Sequence, residues 1–355
     1  MKVSGPQQVV PMKTVLSHVL VPIVMGLVMA AAYLGGFHKP APHNVPLAVV
    51  GTTQQAQPIA DALQHAVGDA ATVRVVPNTA EATREIQQLD LSGAYVPGAH
   101  QAVLLTGSAA SDSTKTVVTQ VFSPVALKQG VPLSVKDVAP VTAGDPIGQN
   151  GFFFLVALTV GAYATSIAIG AAAASRRFRD RVGLAAGAAV VLSTAELAVA
   201  HFGYDMFGGH VPAVWGLSIL YTAAVMFVGV GLHPLVGRFN TLLYSAVFVA
   251  LNFTSSGGVF SPVLQPAFFG WLHHFWIGAG FVETLRRMFY FPAVGLGGPL
   301  AILFGWLVLG IACLGLGYAV EQRRARRTAT GADVDRSTGR LDSATEEELE
   351  EDVAV

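Results

Sequence analysis

Charge is what this sequence has least of. Asp, Glu, Lys and Arg together supply 12% of its 355 residues, about half the share found in soluble domains. That scarcity excludes an ordinary water-soluble enzyme. A hydrophobic content of 52% excludes disorder throughout. Cysteine is nearly missing as well, and the single one, Cys313, excludes an intrachain disulfide and a cysteine metal cluster. Neither sign of charge is in excess: 21 Lys+Arg stand against 22 Asp+Glu, a formal net charge of −1. Nucleic acid is therefore not an expected partner. No Gly-x-x-x-x-Gly-Lys-Ser/Thr run occurs, so ATP cannot be bound through a P-loop. The glycines at 295–298 lack the lysine. No Ser–His–acid or Cys–His arrangement is recoverable, and neither an enzyme activity nor a cofactor is expected.

What is present is apolar length, with a mean hydropathy of +0.54. A bilayer-spanning helix needs roughly 20 mostly apolar residues. Six such stretches can be read, at 15–37, 152–174, 182–201, 212–232, 241–253 and 299–320. The lipid bilayer is thus the first partner. The first stretch is longer than a signal-peptide core and reads as an uncleaved anchor. The fifth is short, which predicts a broken or tilted helix. A further apolar and aromatic region at 266–290 carries His273, His274, Glu283, Arg286 and Arg287, too much charge for a crossing. Two half-helices that enter and return fit better, giving a re-entrant region at 256–292.

Basic residues set the orientation. Lys13 precedes the first span; Arg176, Arg177, Arg179 and Arg181 fill one short loop; Arg238 lies in another; and Arg323, Arg324, Arg326 and Arg327 follow the last span. With six spans all of these fall on one side, which the positive-inside rule assigns to the cytoplasm. The expected fold class is a polytopic α-helical membrane protein. It has six transmembrane helices, a re-entrant helical hairpin before the last, and a small α/β extracytoplasmic domain between helices 1 and 2.

That domain, 38–149, follows a cytoplasmic N-terminus at 1–14 and the anchor at 15–37. It alternates strand-like runs (47–51, 72–76) with amphipathic helical ones (58–67, then a helix opened by Asn78 with Glu81 three residues on). A hairpin is read across Pro97-Gly98, then a helix at 115–127 that Pro124 threatens to break, and an extended stretch at 131–138. The membrane domain occupies 150–320. The tail, 321–355, runs from basic to acidic, ending in Glu346, Glu347, Glu348, Glu350, Glu351 and Asp352, a composition that predicts disorder.

Several short motifs carry a resemblance. Leu47-Ala48-Val49-Val50, the helix at 78–89 and Gly93-Ala94-Tyr95-Val96-Pro97 stand in the first domain. Ser255-Ser256-Gly257-Gly258 leads to Pro262 and Leu264-Gln265-Pro266-Ala267-Phe268-Phe269, then Val282-Glu283-Thr284-Leu285-Arg286. In this order they resemble the ABC-2 type transporter permeases, within them the YhgE/Pip (phage infection protein) group. The chain departs from that pattern at Gly51-Thr52-Thr53, where the family carries an Asn-x-Asp type turn. The resemblance implies a bacterial cell-membrane protein. It would export a hydrophobic or amphipathic substrate as a homodimer or heterodimer, through an outer gate of re-entrant helices, with a separate cytoplasmic ATPase subunit.

Gly257, Gly258, Pro262 and Pro266 are then the candidate gate, since they cannot sustain a spanning helix; a rigid plug is the other reading of the same residues. Arg176, Arg177, Arg179 and Arg181 are the candidate ATPase-subunit contact, or serve topology alone. Glu196 is the sole acid inside a span, a candidate intramembrane polar site. It would serve either a proton relay or a buried hydrogen bond. Glu283 and Arg286, three apart, read as a structural ion pair. His201, Asp205, His210, His273 and His274 gather at predicted outer ends but match no compact metal motif. Asn252-Phe253-Thr254 matches a glycosylation sequon at a span end and is set aside. Two functions of other classes stay open beside the exporter: a non-transporting scaffold or receptor whose outer domain binds a partner in secretion or envelope assembly, and a proton-coupled transporter using Glu196.

Overall fold

The computed structural model describes the backbone of residues 11–352, with side chains except at 14, 15, 17, 18, 238 and 328–352. Its elements fall into two groups, an α/β unit and a helical bundle. Helix α1 (Met12–Phe37) leads into β1 (Val45–Val50), α2 (Thr53–Val67), β2 (Ala71–Val76), α3 (Thr79–Gln87), β3 (Gly93–Val96), β4 (Ala102–Thr106), α4 (Asp112–Lys128) and β5 (Leu133–Asp137).

The five strands form one sheet in the order β2-β1-β3-β4-β5. All pairs are parallel except the β3–β4 hairpin. Strand β1 shows why the sheet is covered on both faces. Val45, Leu47 and Val49 point to one side with Ala56, Ala60 and Leu63 of α2 and Val118 and Phe122 of α4. Ala48 and Val50 point to the other, with Ala82 and Ile86 of α3. The period of two in side-chain direction makes this division, and burial on both faces matches the nearly unbroken apolar run. Tyr95 stacks on Phe122 at 5.3 Å between ring centroids and donates its hydroxyl to Gln129 at 2.7 Å.

The predicted elements of this unit are found, with three changes. Helix α2 begins at Thr53, ahead of Pro58, which sits inside it. Helix α4 runs through Pro124 unbroken. The stretch read as merely extended at 131–138 contains β5, which pairs with β4. Asn78 caps α3 as its spacing predicts, accepting from Glu81 N at 2.9 Å.

The bundle comprises α5 (Asn150–Ala172), α6 (Phe178–Ala198) with a π-turn at Val199–Gly203, and α7 (Val211–Val236). Next come α8 (Asn240–Tyr244), a π-turn at Ser245–Leu251 and α9 (Asn252–Ser255). Helices α10 (Ala267–His273), α11 (Ile277–Tyr290) and α12 (Gly297–Asp352) complete it. Among the described residues, five helical stretches are long and apolar enough to cross a membrane: Val19–Phe37, Asn150–Ala172, Phe178–Gly203, Val211–Val236 and Gly297–Arg327. The chain is therefore a helical membrane protein of several spans. The sixth segment, read at 241–253, is the α8–α9 stretch. At 1.5 Å per residue it covers roughly 24 Å, short of the ~30 Å hydrocarbon thickness.

The sequence reads as a disordered tail from 321; the backbone of helix α12 is described as far as Asp352, and Glu321, Arg323, Arg324, Ala325 and Arg326 are all good helix formers. Residues 353–355, and the side chains of the acidic end, lie outside the described set. So does most of the N-terminal stretch read as cytoplasmic.

Helix α7 lies at the centre, packed by α5, α6 and α12. Small residues allow the close approach. A Cβ at Gly231 would collide with the backbone of Cys313 and Leu314, and one at Gly317 with the carbonyl of Gly231. Leucine at Gly231 is accordingly expected to destabilise the purified protein by about 1–3 kcal/mol, the range for overpacking. A lowered thermal midpoint in detergent checks it.

A second expectation concerns Asp137, which closes the β4–β5 end of the sheet. It accepts from the amides of Ser108 and Ala139 at 3.2 Å each and from Lys115 Nζ at 3.2 Å. Burial pulls its pKa up, but the Ser108 bonds and the Lys115 ammonium more than offset this and hold it below the ordinary carboxylate value. A folded-state pKa below the unfolded one stabilises above the unfolded value, and the gain is lost as pH falls through the folded one. Asp137→Asn should therefore cost about 1 kcal/mol near neutrality, and the difference should shrink as pH falls below the ordinary aspartate range. Melting of the full chain by circular dichroism across that range measures the convergence.

Candidate gate at the broken helix

Helix α9 stops because of two glycines. Gly257 adopts φ +74°, a conformation L side chains avoid, and a Cβ there would lie 2.8 Å from His273 Cε1. A Cβ at Gly258 would enter the ring of Phe152. Every residue from Asn252 to Gly258 is buried, so the carbonyls freed at the helix end have no water to bond. Each unmet carbonyl would carry a penalty of about 1–3 kcal/mol.

Side chains from further along supply the donors. Gln265 Nε2 donates to Thr254 O at 2.7 Å. His273 Nδ1 is 2.9 Å from Ser255 O; a carbonyl only accepts, so the proton sits on Nδ1. Arg286 Nη2 donates to Gly257 O at 2.7 Å. Between them Pro262 starts a short 3₁₀ turn and Pro266 occupies the cap position of α10, both places where a missing N–H does no harm.

Arg286 is held in turn by Glu283, with which it forms an ion pair. The same carboxylate has His273 Nε2 and Arg287 Nε at 3.9 Å each, and Arg287 donates to Gly295 O at 2.9 Å. The side chains of Glu283 and Arg286 are only 14% and 12% exposed, so this is a buried pair. Its role reaches past the i,i+3 pairing read from spacing, because it ties the broken loop to α11.

A second polar chain ties α11 to the bundle. Asn252 Oδ1 accepts from Gly278 N at 2.7 Å and caps the first turn of α11 from outside it. Its Nδ2 donates to Tyr221 Oη at 2.9 Å, which meets Thr159 Oγ1 at 2.6 Å. Four elements, α5, α7, α9 and α11, are thus joined by three fully buried side chains. Asn252 is consumed in this chain and is no glycosylation acceptor here.

The α/β unit sits directly on the loop. Ala41 N donates to Leu264 O at 3.0 Å and His43 N to Val263 O at 2.8 Å. Leu264, Val263 and Phe260 pack into the same core as Leu47 and Tyr95. On the other flank, Tyr290 Oη donates to Asp145 Oδ2 at 3.0 Å. Asp145 Oδ1 accepts from the amides of Gln149 and Asn150 and so caps α5. Clefts of about 330 and 180 Å³ lie at this junction, and Arg286 lines both.

The remaining sequence candidates are placed elsewhere. Arg176, Arg177 and Arg179 are exposed, whereas Arg181 is 2% exposed. It pairs with Glu321 of α12 and lies 5.1 Å over the ring of Phe178. Arg181 is therefore a packing residue and leaves the expected contact set. Glu196 faces Gly161 of α5, and its Oε2 is buried without a hydrogen-bond partner. Ser193 bonds Thr222 at 2.9 Å instead. His201 bonds Met206 O at 3.0 Å, His274 bonds Gly270 O at 2.9 Å, and His210 packs against Phe289. Among the described residues no three His, Cys, Asp or Glu side chains converge on a point that could hold a metal ion.

No family model, curated protein or solved structure matches the chain.

Gly257, Gly258, Pro262 and Pro266 are legible in the sequence as the break, whereas the roles of Gln265, Tyr221 and Asn252 are not. The available signal was a polar side chain flanked by apolar ones at membrane depth. Arg286→Ala should cost about 3–5 kcal/mol, since it leaves the Glu283 carboxylate and the Gly257 carbonyl unpaired. Combined with Glu283→Gln, the loss should fall short of the sum of the two single losses by at least about 1 kcal/mol. Thermal unfolding of the four proteins of the cycle gives the number, and strict additivity would refute the coupling.

Proposed function

We propose that this chain is the membrane subunit of an exporter resembling the ABC-2 type permeases, moving a hydrophobic or amphipathic substrate outward as a dimer. In this reading α8–α9 is a sixth, shortened crossing, and α10–α11 is a re-entrant hairpin in the outer leaflet. The α/β unit then stands outside, and both termini are cytoplasmic. The loop at 257–266 is the gate. A separate ATPase subunit would dock on the exposed Arg176, Arg177 and Arg179.

The observation that supports this best is how the broken helix is closed. Its free carbonyls are held by side chains of other segments, each bond individually exchangeable, and the α/β unit bonds to the same loop. Such a break can take a second arrangement without unfolding a spanning helix, because nothing there depends on continuous α-helical bonds. Backbone of this kind at depth is tolerated where it is buried in protein or lines a cavity, and the clefts at Arg286 flank it.

A cysteine pair at His43 and Val263, in a Cys313→Ala background and joined by a short bifunctional thiol reagent, fastens the α/β unit to the loop. Export of a lipophilic dye from cells should fall at least tenfold on cross-linking and return on reduction of a cleavable linker. Full activity with the cross-link in place would make the loop a plug. A complete lack of export, alongside retained binding of an envelope partner, would favour the scaffold. Thiol accessibility of single cysteines at positions 43 and 323 from opposite sides of the membrane tests the orientation.

A further inference from the structure

Between the first turns of α5 and the last turns of α6 runs a groove of about 520 Å³, its walls almost wholly apolar. Phe153, Phe154, Ala157, Val199 and Met206 form most of it. Among the described residues that line it, Glu196 is the one acidic group, and none is Lys, Arg or His. One carboxyl oxygen of Glu196 is buried with no hydrogen-bond partner. The other lies beside Gly161, where a Cβ would stand 2.8 Å from it and crowd it.

These features are hard to explain by packing alone. A buried carboxyl without a partner is destabilising, and a carboxyl inside a span marks a pathway or a site. Thr194 and Ser193, the neighbouring hydroxyls, are already engaged with Trp215 and Thr222. Among the described residues none bonds Glu196 Oε2, and Glu196 lines a large groove. What complements the site is a molecule with a broad apolar body and a positive centre.

We propose that this groove binds a lipophilic cation, its charge seated against Glu196 and its apolar body against Phe153, Phe154 and Val199. Depth separates such a ligand from a bilayer lipid. Glu196 lies seven residues before Gly203, where the π-turn closing this helix ends, roughly 10 Å along the axis. The ammonium of a phospholipid stays at the headgroup level and does not reach it. A compact cation with delocalised or shielded charge does. Occupancy of the groove is independent of whether the chain exports anything.

The test is equilibrium binding of tetraphenylphosphonium to the full chain in phosphatidylcholine nanodiscs, with empty nanodiscs subtracted. Tetraphenylborate, of the same shape and opposite charge, is the control. Saturable binding near one per chain is expected for the cation and none for the anion. Glu196→Gln should weaken it at least tenfold, and Ala157→Trp, which fills the groove and leaves the carboxyl intact, should do the same. Size-exclusion profiles establish that both variants fold; if Glu196→Gln does not, Ala157→Trp and the two probes decide. Absence of saturable binding, equal binding of the anion, or binding unchanged by either folded variant overturns the assignment.

Discussion

A backbone carbonyl that leaves a helix in a dry interior must find a donor, and this constraint organises the centre of the molecule. Gly257 and Gly258 end α9 among buried residues, and three carbonyls there require partners. The donors come from three later segments: Gln265 from the loop, His273 from α10 and Arg286 from α11. Placing them fixes the path of everything from 256 to 290. Glu283 then becomes necessary, because Arg286 is a buried charge that a neutral carbonyl alone would not compensate. The hairpin is thus less a pair of helices packed by shape than a set of donors delivered to one helix end.

The same loop meets the α/β unit, so two bodies of very different composition share a seam. Leu264 belongs to the core of the sheet domain while Gln265, the next residue, belongs to the helix break. A displacement of one cannot leave the other untouched. Asp145 and Tyr290 close the seam on its far side, and Asp145 caps α5 as well. In mechanical terms the bundle and the α/β unit are joined at both margins of the hairpin.

Much of this was legible in the sequence, and the pattern of what was not has physical reasons. The short apolar run of β1 and the cap at Asn78 announce the α/β unit, because apolar length and capping are local properties. The spans announce themselves by apolar length. The break is visible in Gly257-Gly258 and the nearby prolines. Its donors are not, since Asn252 and Gly278 are 26 residues apart and Gln265 looks like any loop glutamine. Arg181 misled for a similar reason: a run of arginines beside a span carries a topology signal, and nothing in it marks the one member that turns inward to meet Glu321. Long-range pairing is decided by packing, which a single sequence does not display.

That pairing also bears on how the chain is made. Arg181 and Glu321 are 140 residues apart, and synthesis proceeds from the N-terminus. The bundle's second helix therefore emerges with a charge whose partner does not yet exist. Until residue 321 has been made, Arg181 lacks this partner, and α6 cannot settle into its final contact with α12. Closure of this ion pair is a late event that joins an early helix to the last one, and it reports that the bundle is complete.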